Sequence, residues 1–457
     1  MTGDRQGGSL RGGARHIGIA GAGLLGRLCA WHLASQGLSV DVFDPAPDAG
    51  PCFADRAQPR VGLSPAWTGG GGAADPVWPQ AAGFTAAGML SPIAELDNAE
   101  PALAALGWRS IVLWRAITQA LGRTPGSFAP FYAQRGSWML AHRPDLGSAQ
   151  RVLARLAAAG RSAAWQEAVS LAYRRFLIDD DAIPALGLTE ASAQGMPQAL
   201  SLAQLQAQEP SLAGAAHAWF LPAEGQLDTA NTLLALVLAA RTLSGPSGPG
   251  RVNWHWGERV TQVGEDARLH LHGPGGERVA TFDQVIDTRG LGARPDLPMR
   301  GVRGELVWLH APGHGLTRPV RLLHPRHRVY IVPRPGDLLL VGASEIESED
   351  RSPVSLRSAV ELMAAAHSVL PAAAEARVVR LDVNLRPALP DNGPRIEVAG
   401  RRLRINGLFR HGWLLAPALL QQALQAADLP TTLAGVALDE VGGLGEAPWL
   451  HAAQACA

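Results

Sequence analysis

One short stretch constrains this chain more than any other. The apolar run His16-Ile17-Gly18-Ile19-Ala20 enters Gly21-Ala22-Gly23-Leu24-Leu25-Gly26, and a second apolar run, Val40-Asp41-Val42-Phe43, stops at Asp44. The pattern reads as a strand, a glycine-rich turn, a helix and a second strand ending in an acid, the unit that grips a dinucleotide. Gly21 permits a tight turn, and Gly23, flanked by Ala22 and Leu24, permits the backbone to approach a pyrophosphate. Gly26 lets the helix lie close to the strand. The start of that helix offers free N–H groups and the positive end of a dipole to phosphate. Asp44, 18 residues beyond Gly26, is placed to accept hydrogen bonds from a ribose diol. A lone glycine-rich turn is weak evidence, but here strand, helix and acid all fall in place. NAD and FAD both remain open at this point.

Bulk properties exclude several function classes. At 457 residues the chain has room for two or three core-bearing units, and its zero formal net charge gives no sign of a nucleic-acid or anionic-membrane surface. Its longest apolar runs, such as residues 233–240, fall far short of the ~20 residues that span a bilayer. Residues 1–14 are rich in Gly and Arg without an apolar stretch, and read as a flexible lead rather than a signal peptide. Cys29, Cys52 and Cys456 show no pairing or metal-ligand spacing, so a cytoplasmic protein without a bound metal is expected. Lysine is absent throughout. That excludes a Schiff-base lysine, a P-loop lysine and a lysine poised over a flavin.

Along the chain, residues 45–80 are dense in Pro, Gly and Ala and read as a long surface insertion. Helical spacing predicts helices over 101–121, near 149–159 and 201–209, over 228–241 behind Asp228 or Thr229 as cap, over 355–369, and from 412 to about 427. Strands are expected at 130–142, at 251–264 paired with 268–272 through a turn at 273–276, and at 282–287. Further strands are expected at 305–309, 329–333, 338–343, 378–385 and 403–406. Nucleotide-fold pieces thus alternate with sheet-rich pieces, which suggests two interleaved, discontinuous domains.

Several separated segments are similar to the D-amino-acid-oxidase superfamily of flavoproteins, most of all its glycine oxidase branch serving thiazole (thiamine) synthesis. They are Ala86-Ala87-Gly88-Met89-Leu90-Ser91-Pro92, Leu221-Pro222-Ala223-Glu224-Gly225-Gln226-Leu227-Asp228 and Val302-Arg303-Gly304-Glu305. Next come Tyr330-Ile331-Val332-Pro333-Arg334, Val341-Gly342-Ala343-Ser344-Glu345 and Leu385-Arg386-Pro387, and last the run from Asn406 to Pro417. The resemblance spans nearly the whole chain except the lead and the insertion. It implies an α/β fold, a Rossmann-like FAD-binding domain interleaved with an α+β substrate domain built on a large mainly antiparallel sheet. The FAD-binding domain would comprise residues 15–107, 201–300 and 384–440, the substrate domain 108–200 and 301–383, and a tail 441–457.

The resemblance favours FAD over NAD. Non-covalent attachment is expected, because Cys456 is the only late cysteine and lies far beyond the segment used for a covalent link. It implies further cofactor contacts from Thr85, Ala87, Gly88, Met89, Val260, Gly290, His411, Gly412, Trp413 and Leu414. N–H groups opening the last helix at Gly412 would face negative charge on the reduced ring, with Pro417 expected in the first turn. Arg386 would fork a substrate carboxylate, Tyr330 would place its hydroxyl beside it, and Arg410 would sit near flavin and substrate.

From the residues alone, Arg386 could equally be an end-of-strand arginine, with Pro387 stopping the ladder. The resemblance places Glu345 at a pocket-rim position, whereas Glu347, Glu349 and Asp350 read as a solvated charge run. His324, Arg326, His327, Arg328 and Arg334 read as exposed strand surface, with a docking face as the alternative, and Trp254-His255-Trp256 as strand packing. Leu408 and Phe409 stand where family members often carry His and Tyr, a loss of two polar side chains.

The implied activity is oxidative deamination of glycine or another small amino acid by an FAD-dependent oxidase that reduces O2 to H2O2. A sarcosine or D-amino-acid oxidase or dehydrogenase is the alternative, and a non-catalytic flavin-binding protein a remote one. Expected partners are the small amino-acid substrate and O2, a thiazole-synthesis protein and further copies of the chain.

Overall fold

The computed structural model describes residues 15–50, 81–95, 101–159, 165–170, 196–244, 250–323, 328–438 and 448–452. The expectations for residues 1–14, most of the 45–80 insertion, His324, Arg326, His327, Cys52 and Cys456 lie outside these residues.

The opening motif forms the strand His16–Ala20, the helix Leu24–Ser35 and the strand Ser39–Asp44. These belong to a seven-stranded sheet ordered Leu450–Ala452, Arg395–Ala399, Arg402–Asn406, Gln284–Asp287, His16–Ala20, Ser39–Asp44, Arg251–Trp256. Its neighbours run parallel except at the hairpin Arg395–Ala399/Arg402–Asn406. Both faces are covered, as a parallel sheet requires. Ile17, Ile19, Val40, Val42 and Ile286 pack in the main core with the helices Leu24–Ser35, Thr229–Leu243 and Gly412–Ala426. Ala20, Phe43 and Val285 pack the other way, on the three-stranded meander Arg259–Val263, Arg268–Gly273, Gly276–Thr281.

The expected hairpin is thereby corrected. Residues 251–264 split into a parallel strand of the nucleotide sheet and a first meander strand, and the turn at 273–276 joins the second and third meander strands. A single long antiparallel pair would have left the edge of Ser39–Asp44 unpaired.

A second sheet has eight strands, ordered Arg377–Ala388, Arg300–His310, Leu338–Gly342, Arg328–Arg334, Val320–Leu323, Ser137–Ala141, His217–Leu221, Gln198–Leu200. It is antiparallel except between Val320–Leu323 and Ser137–Ala141. His217–Leu221, which the segment division gave to the FAD-binding unit, pairs inside this large sheet. Pro387 does not stop its strand. The ladder continues to Ala388 opposite Arg300, because Arg377–Ala388 is an edge strand and a proline there can turn its missing donor away from the sheet.

Asp228 caps the helix Thr229–Leu243 by accepting the Asn231 N–H, and Ser201 caps Leu202–Gln208 in a reciprocal capping box with Gln204. The helix Gly412–Ala426 contains Pro417 as its sixth residue, in the second turn rather than the first. A proline there cannot donate to the carbonyl four residues earlier. That carbonyl, of Trp413, accepts the Trp114 Nε1–H at 2.6 Å instead, and the next amide, of Ala418, donates to Ser110 Oγ. Both partners come from the helix Pro101–Arg123, which packs along the last helix.

Candidate active site

The two sheets meet around one cavity of about 1390 Å³. At one end lies the glycine-rich turn. Gly21 has a φ of +95°, and its amide donates to the Phe43 carbonyl at 2.8 Å, tying turn to second strand. A Cβ on Gly26 would stand 1.9 Å from the Gly21 carbonyl oxygen, so only glycine lets the helix descend onto the turn. A Cβ on Gly23 would meet only Ala81, at 3.7 Å, so the first turn of the helix faces the cavity bare.

Asp44 lines the same end. Its carboxylate accepts the Ala22 N–H at 2.6 Å and the Ala46 N–H at 2.9 Å. This is a cradle for a diphosphate and a ribose, and FAD fits it: open N–H groups for the anion, an anchored carboxylate for the diol. Arg27, buried beneath, bonds the carbonyls of Ala22, Leu233 and Ala49 and locks the turn to its surroundings.

Leu24, Thr85, Ala87, Gly88, Met89, Val260, Gly290, Gly412, Trp413 and Leu414 line the cavity along with Gly21, Gly23 and Asp44. Ala22, Gly26 and His411 do not. Ala22 and Gly26 act beneath the turn, and His411 is a buried cap residue of the last helix. Sequence spacing places such residues near a ligand, but the alternate inward and outward directions of turn residues are set by tertiary packing.

The segment 85–89 is held by Arg334. Its guanidinium donates to the Ala87 carbonyl, to the Leu227 carbonyl at 2.6 Å and to Gln226 Oε1 at 2.9 Å. Arg334 is buried, which corrects its reading as exposed strand surface. Four acceptors converge on it, the Pro333 carbonyl at 3.0 Å being the fourth, and desolvation lowers its pKa to about 10. Asn384 donates to Thr85 Oγ1 at 3.0 Å, fixing the other end of the segment.

The large sheet supplies the opposite wall. Arg386, Tyr330 and Arg410 all line the cavity. Arg386 lies over Gly304, where a Cβ would stand 2.6 Å from its Cζ. Its hydrogen bonds go to backbone carbonyls, of Ser344 at 3.0 Å and Arg303 at 3.4 Å, and burial lowers its pKa against the raising effects of Tyr330 and Glu345. Among the described residues no carboxylate pairs with it. A desolvated guanidinium so held is ready for an anion.

The carbonyl that receives Arg386 is itself fixed. Ser344 Oγ donates to Glu305, which also takes the Arg303 guanidinium and the Ser355 N–H. Arg410 Nη1 lies 3.2 Å from Glu345 Oε2 at the rim. The neighbouring acids are paired rather than merely solvated: Glu347 with Arg300, Glu349 with Arg294, Asp350 with Arg303. Leu408 and Phe409 do line the cavity, with Phe409 at a φ of +47°.

Two buried charges of this wall carried no expectation. Arg321 lines the cavity beside Tyr330, and Glu224 sits under Ser91. Their signal was present: an arginine inside Val320-Arg321-Leu322-Leu323, and an acid inside a short strand-turn-strand, are costly to bury without a purpose. Among the described residues no cluster of His, Cys, Asp and Glu could hold a metal ion, and no helix is long and apolar enough to cross a membrane.

Comparison with known proteins accords with this geometry. The family model described as FAD dependent oxidoreductase matches residues 16–421. A protein of Rhizobium etli named as a thiamine biosynthesis oxidoreductase, ThiO, is 34% identical over 404 residues, covering 88% of this chain and 93% of that protein. Glycine oxidase of Geobacillus kaustophilus is 26% identical over 361 residues, covering 76% and 82%. The crystal structure of that glycine oxidase superposes with a TM-score of 0.66 over 94% of this chain and 100% of its own, at 22% identity, a likeness of fold.

Proposed function

The chain belongs to the FAD-dependent oxidoreductase family, and from that premise we propose that it is an amino-acid oxidase converting glycine, or another small amine-bearing amino acid, to its imine. Overall, glycine, O2 and water give glyoxylate, ammonia and H2O2. The observation that carries this reading is Arg386: a half-buried guanidinium beside Tyr330, held by carbonyls, in the cavity that also contains the nucleotide cradle.

Gly21, Gly23 and Leu24 would hold the pyrophosphate of FAD and Asp44 its ribose, with the 85–89 segment, Val260, Gly290 and Gly412–Leu414 around the rest. Cys29 is buried with its thiol pKa pushed well up by desolvation, which supports non-covalent binding. Bound FAD supplies the two-electron oxidation and passes the electrons to O2.

The chain's own contribution is positioning and charge. Arg386 receives the substrate carboxylate as a bidentate fork, and the Tyr330 hydroxyl donates to the same group. With the carboxylate pinned, the Cα–H bond has one orientation. Arg386 and Arg410 are both cationic, so they disfavour an ammonium in the cavity. The neutral amine, whose lone pair assists loss of the Cα–H, is thereby favoured. No side chain has to accept a proton in that step, in keeping with a fork held by backbone carbonyls.

The likeness to ThiO supports a place for the imine upstream of a thiazole-forming step. The test is direct. The purified protein should carry a flavin absorbance and release peroxide fastest with glycine, more slowly with sarcosine and D-alanine. Flavin-loaded protein that makes no peroxide with any of the three, yet reduces a dye, would replace the oxidase reading by a dehydrogenase.

A further inference from the structure

The glycine-rich turn fixes its peptide units one after another, and the fixing stops at a definite atom. The Ala20–Gly21 unit accepts the Thr288 N–H at 2.8 Å and donates to the Phe43 carbonyl at 2.8 Å. The Gly21–Ala22 unit has Thr288 Oγ1 3.1 Å from its oxygen and donates to Asp44 at 2.6 Å. The Ala22–Gly23 unit is held at its oxygen alone, by Arg27 Nε at 2.7 Å. Among the described residues nothing accepts the Gly23 N–H. In a trans peptide the C=O and N–H point opposite ways. Arg27 draws the carbonyl to the buried side, so the Gly23 N–H is turned out where Gly23 lines the cavity.

Arg27 is itself firmly held. Its Nη1 donates to the Leu233 carbonyl at 3.1 Å and its Nη2 to the Ala49 carbonyl at 2.8 Å. The rings of Phe84 and Trp256 stand 5.1 and 5.5 Å from its Cζ, and the residue is 2% exposed. Its hydrogen-bond partners are neutral carbonyls, and among the described residues no carboxylate forms an ion pair with it. Asp44 and Asp48 act on it only at longer range, and desolvation lowers its pKa to about 10, which leaves it cationic at neutral pH. A buried cation without a contact counter-ion is costly, and an anion bound nearby relieves that cost.

We propose that Arg27 is a positioning residue of the cofactor site, one that aims the Gly23 N–H at the diphosphate and sets a positive charge beneath it. The inference rests on the turn being the pyrophosphate cradle. A helix start alone offers N–H groups to any anion. Arg27 adds a fixed direction to the first of them and a full charge behind it, and in a desolvated setting that charge is little screened. The cradle then separates phosphate-bearing ligands from adenosine, while Asp44 meets the ribose of both.

Calorimetric titration of the flavin-free full-length protein with ADP and with adenosine tests this without turnover. The natural protein should prefer ADP. Arg27→Met should weaken ADP binding about 10-fold or more, the worth of a charge-assisted contact, and leave adenosine binding unchanged. Arg27→Lys and Arg27→Gln guard against a variant that fails to fold. Both keep a donor for the Ala22 carbonyl, and only Arg27→Lys keeps the charge. The ADP preference should therefore fall in the order natural protein, Arg27→Lys, Arg27→Gln, Arg27→Met. A preference undiminished in Arg27→Gln or Arg27→Met would overturn the proposal and leave the cradle standing. So would ADP and adenosine weakened in the same proportion, which marks a packing residue. A natural protein that binds ADP no better than adenosine overturns the cradle reading, and the proposal with it.

Discussion

The cavity has two ends built in opposite ways. The nucleotide end is local: Gly21, Gly23, Gly26 and Asp44 come from a single strand-turn-helix-strand, and the Gly21 amide and the Asp44 carboxylate bond within or next to that unit. The substrate end is assembled. Arg386 comes from the edge strand of the large sheet and Gly304 from the strand next to it, Tyr330 and Arg321 from strands further in, and Arg410 from the loop before the last helix. A local site depends on backbone shape, so it fails when a single atom is added. An assembled site depends on the sheet's register and on buried charge, so it fails when a charge is removed.

The largest expected effect falls on the assembled end. Arg386→Ala should cost about 2–5 kcal/mol of transition-state binding, read as kcat/KM, with flavin content unchanged. Unchanged kcat/KM would remove Arg386 from the site.

A second prediction concerns protons. Glu224 in the folded protein has its pKa raised to about 7 from 4.5, by burial against the hydrogen bonds of Ser137, Ser91 and Ile93 and the charge of Arg321. Between these values Glu224 is more protonated in the folded state than in the unfolded one, so its contribution to stability is most favourable below 4.5 and falls as pH rises toward 7, by up to about 3 kcal/mol. Glu224→Gln should flatten that slope in denaturant titrations. In the nucleotide sheet the opposite sign holds. Asp41 is lowered from 3.8 to about 2 despite burial, by hydrogen bonds from His255, Asn253 and His16, so its contribution is present above 3.8 and lost as pH falls through the folded value.

For the local end, Gly26→Ala should cost about 1–3 kcal/mol by overpacking against the Gly21 carbonyl. Flavin content and retained fold would be measured together. Normal flavin content would break the contrast drawn between the two ends. The smallest effect is expected at the join. Trp114→Phe removes the donor that satisfies the Trp413 carbonyl and should cost about 1 kcal/mol of stability.

The same contrast explains what could be read from the chain alone. The nucleotide unit was legible because its chemistry follows a fixed spacing, down to Asp44 at the end of the second strand. Arg386, Tyr330 and Arg410 were reached only through resemblance, since nothing within Leu385-Arg386-Pro387 distinguishes a ligand fork from a strand end. Arg334 was misread as surface because its acceptors, the carbonyls of Ala87 and Leu227, belong to segments more than 100 residues away. Pro387 was misread as a stop because the edge position of its strand is a property of the whole sheet. Register, edges and buried charge are long-range facts.

Gly304 has a consequence for how such a site can be retuned. The Arg386 guanidinium rests against the bare backbone of Gly304, so the height of the fork above the sheet is set by a missing methyl group. An alanine there would lift the guanidinium into the cavity and shorten the reach from fork to reacting carbon without touching any residue that meets the substrate. Selection for a smaller or larger amino acid could act through this one position beneath the arginine, leaving the charges of the site as they are.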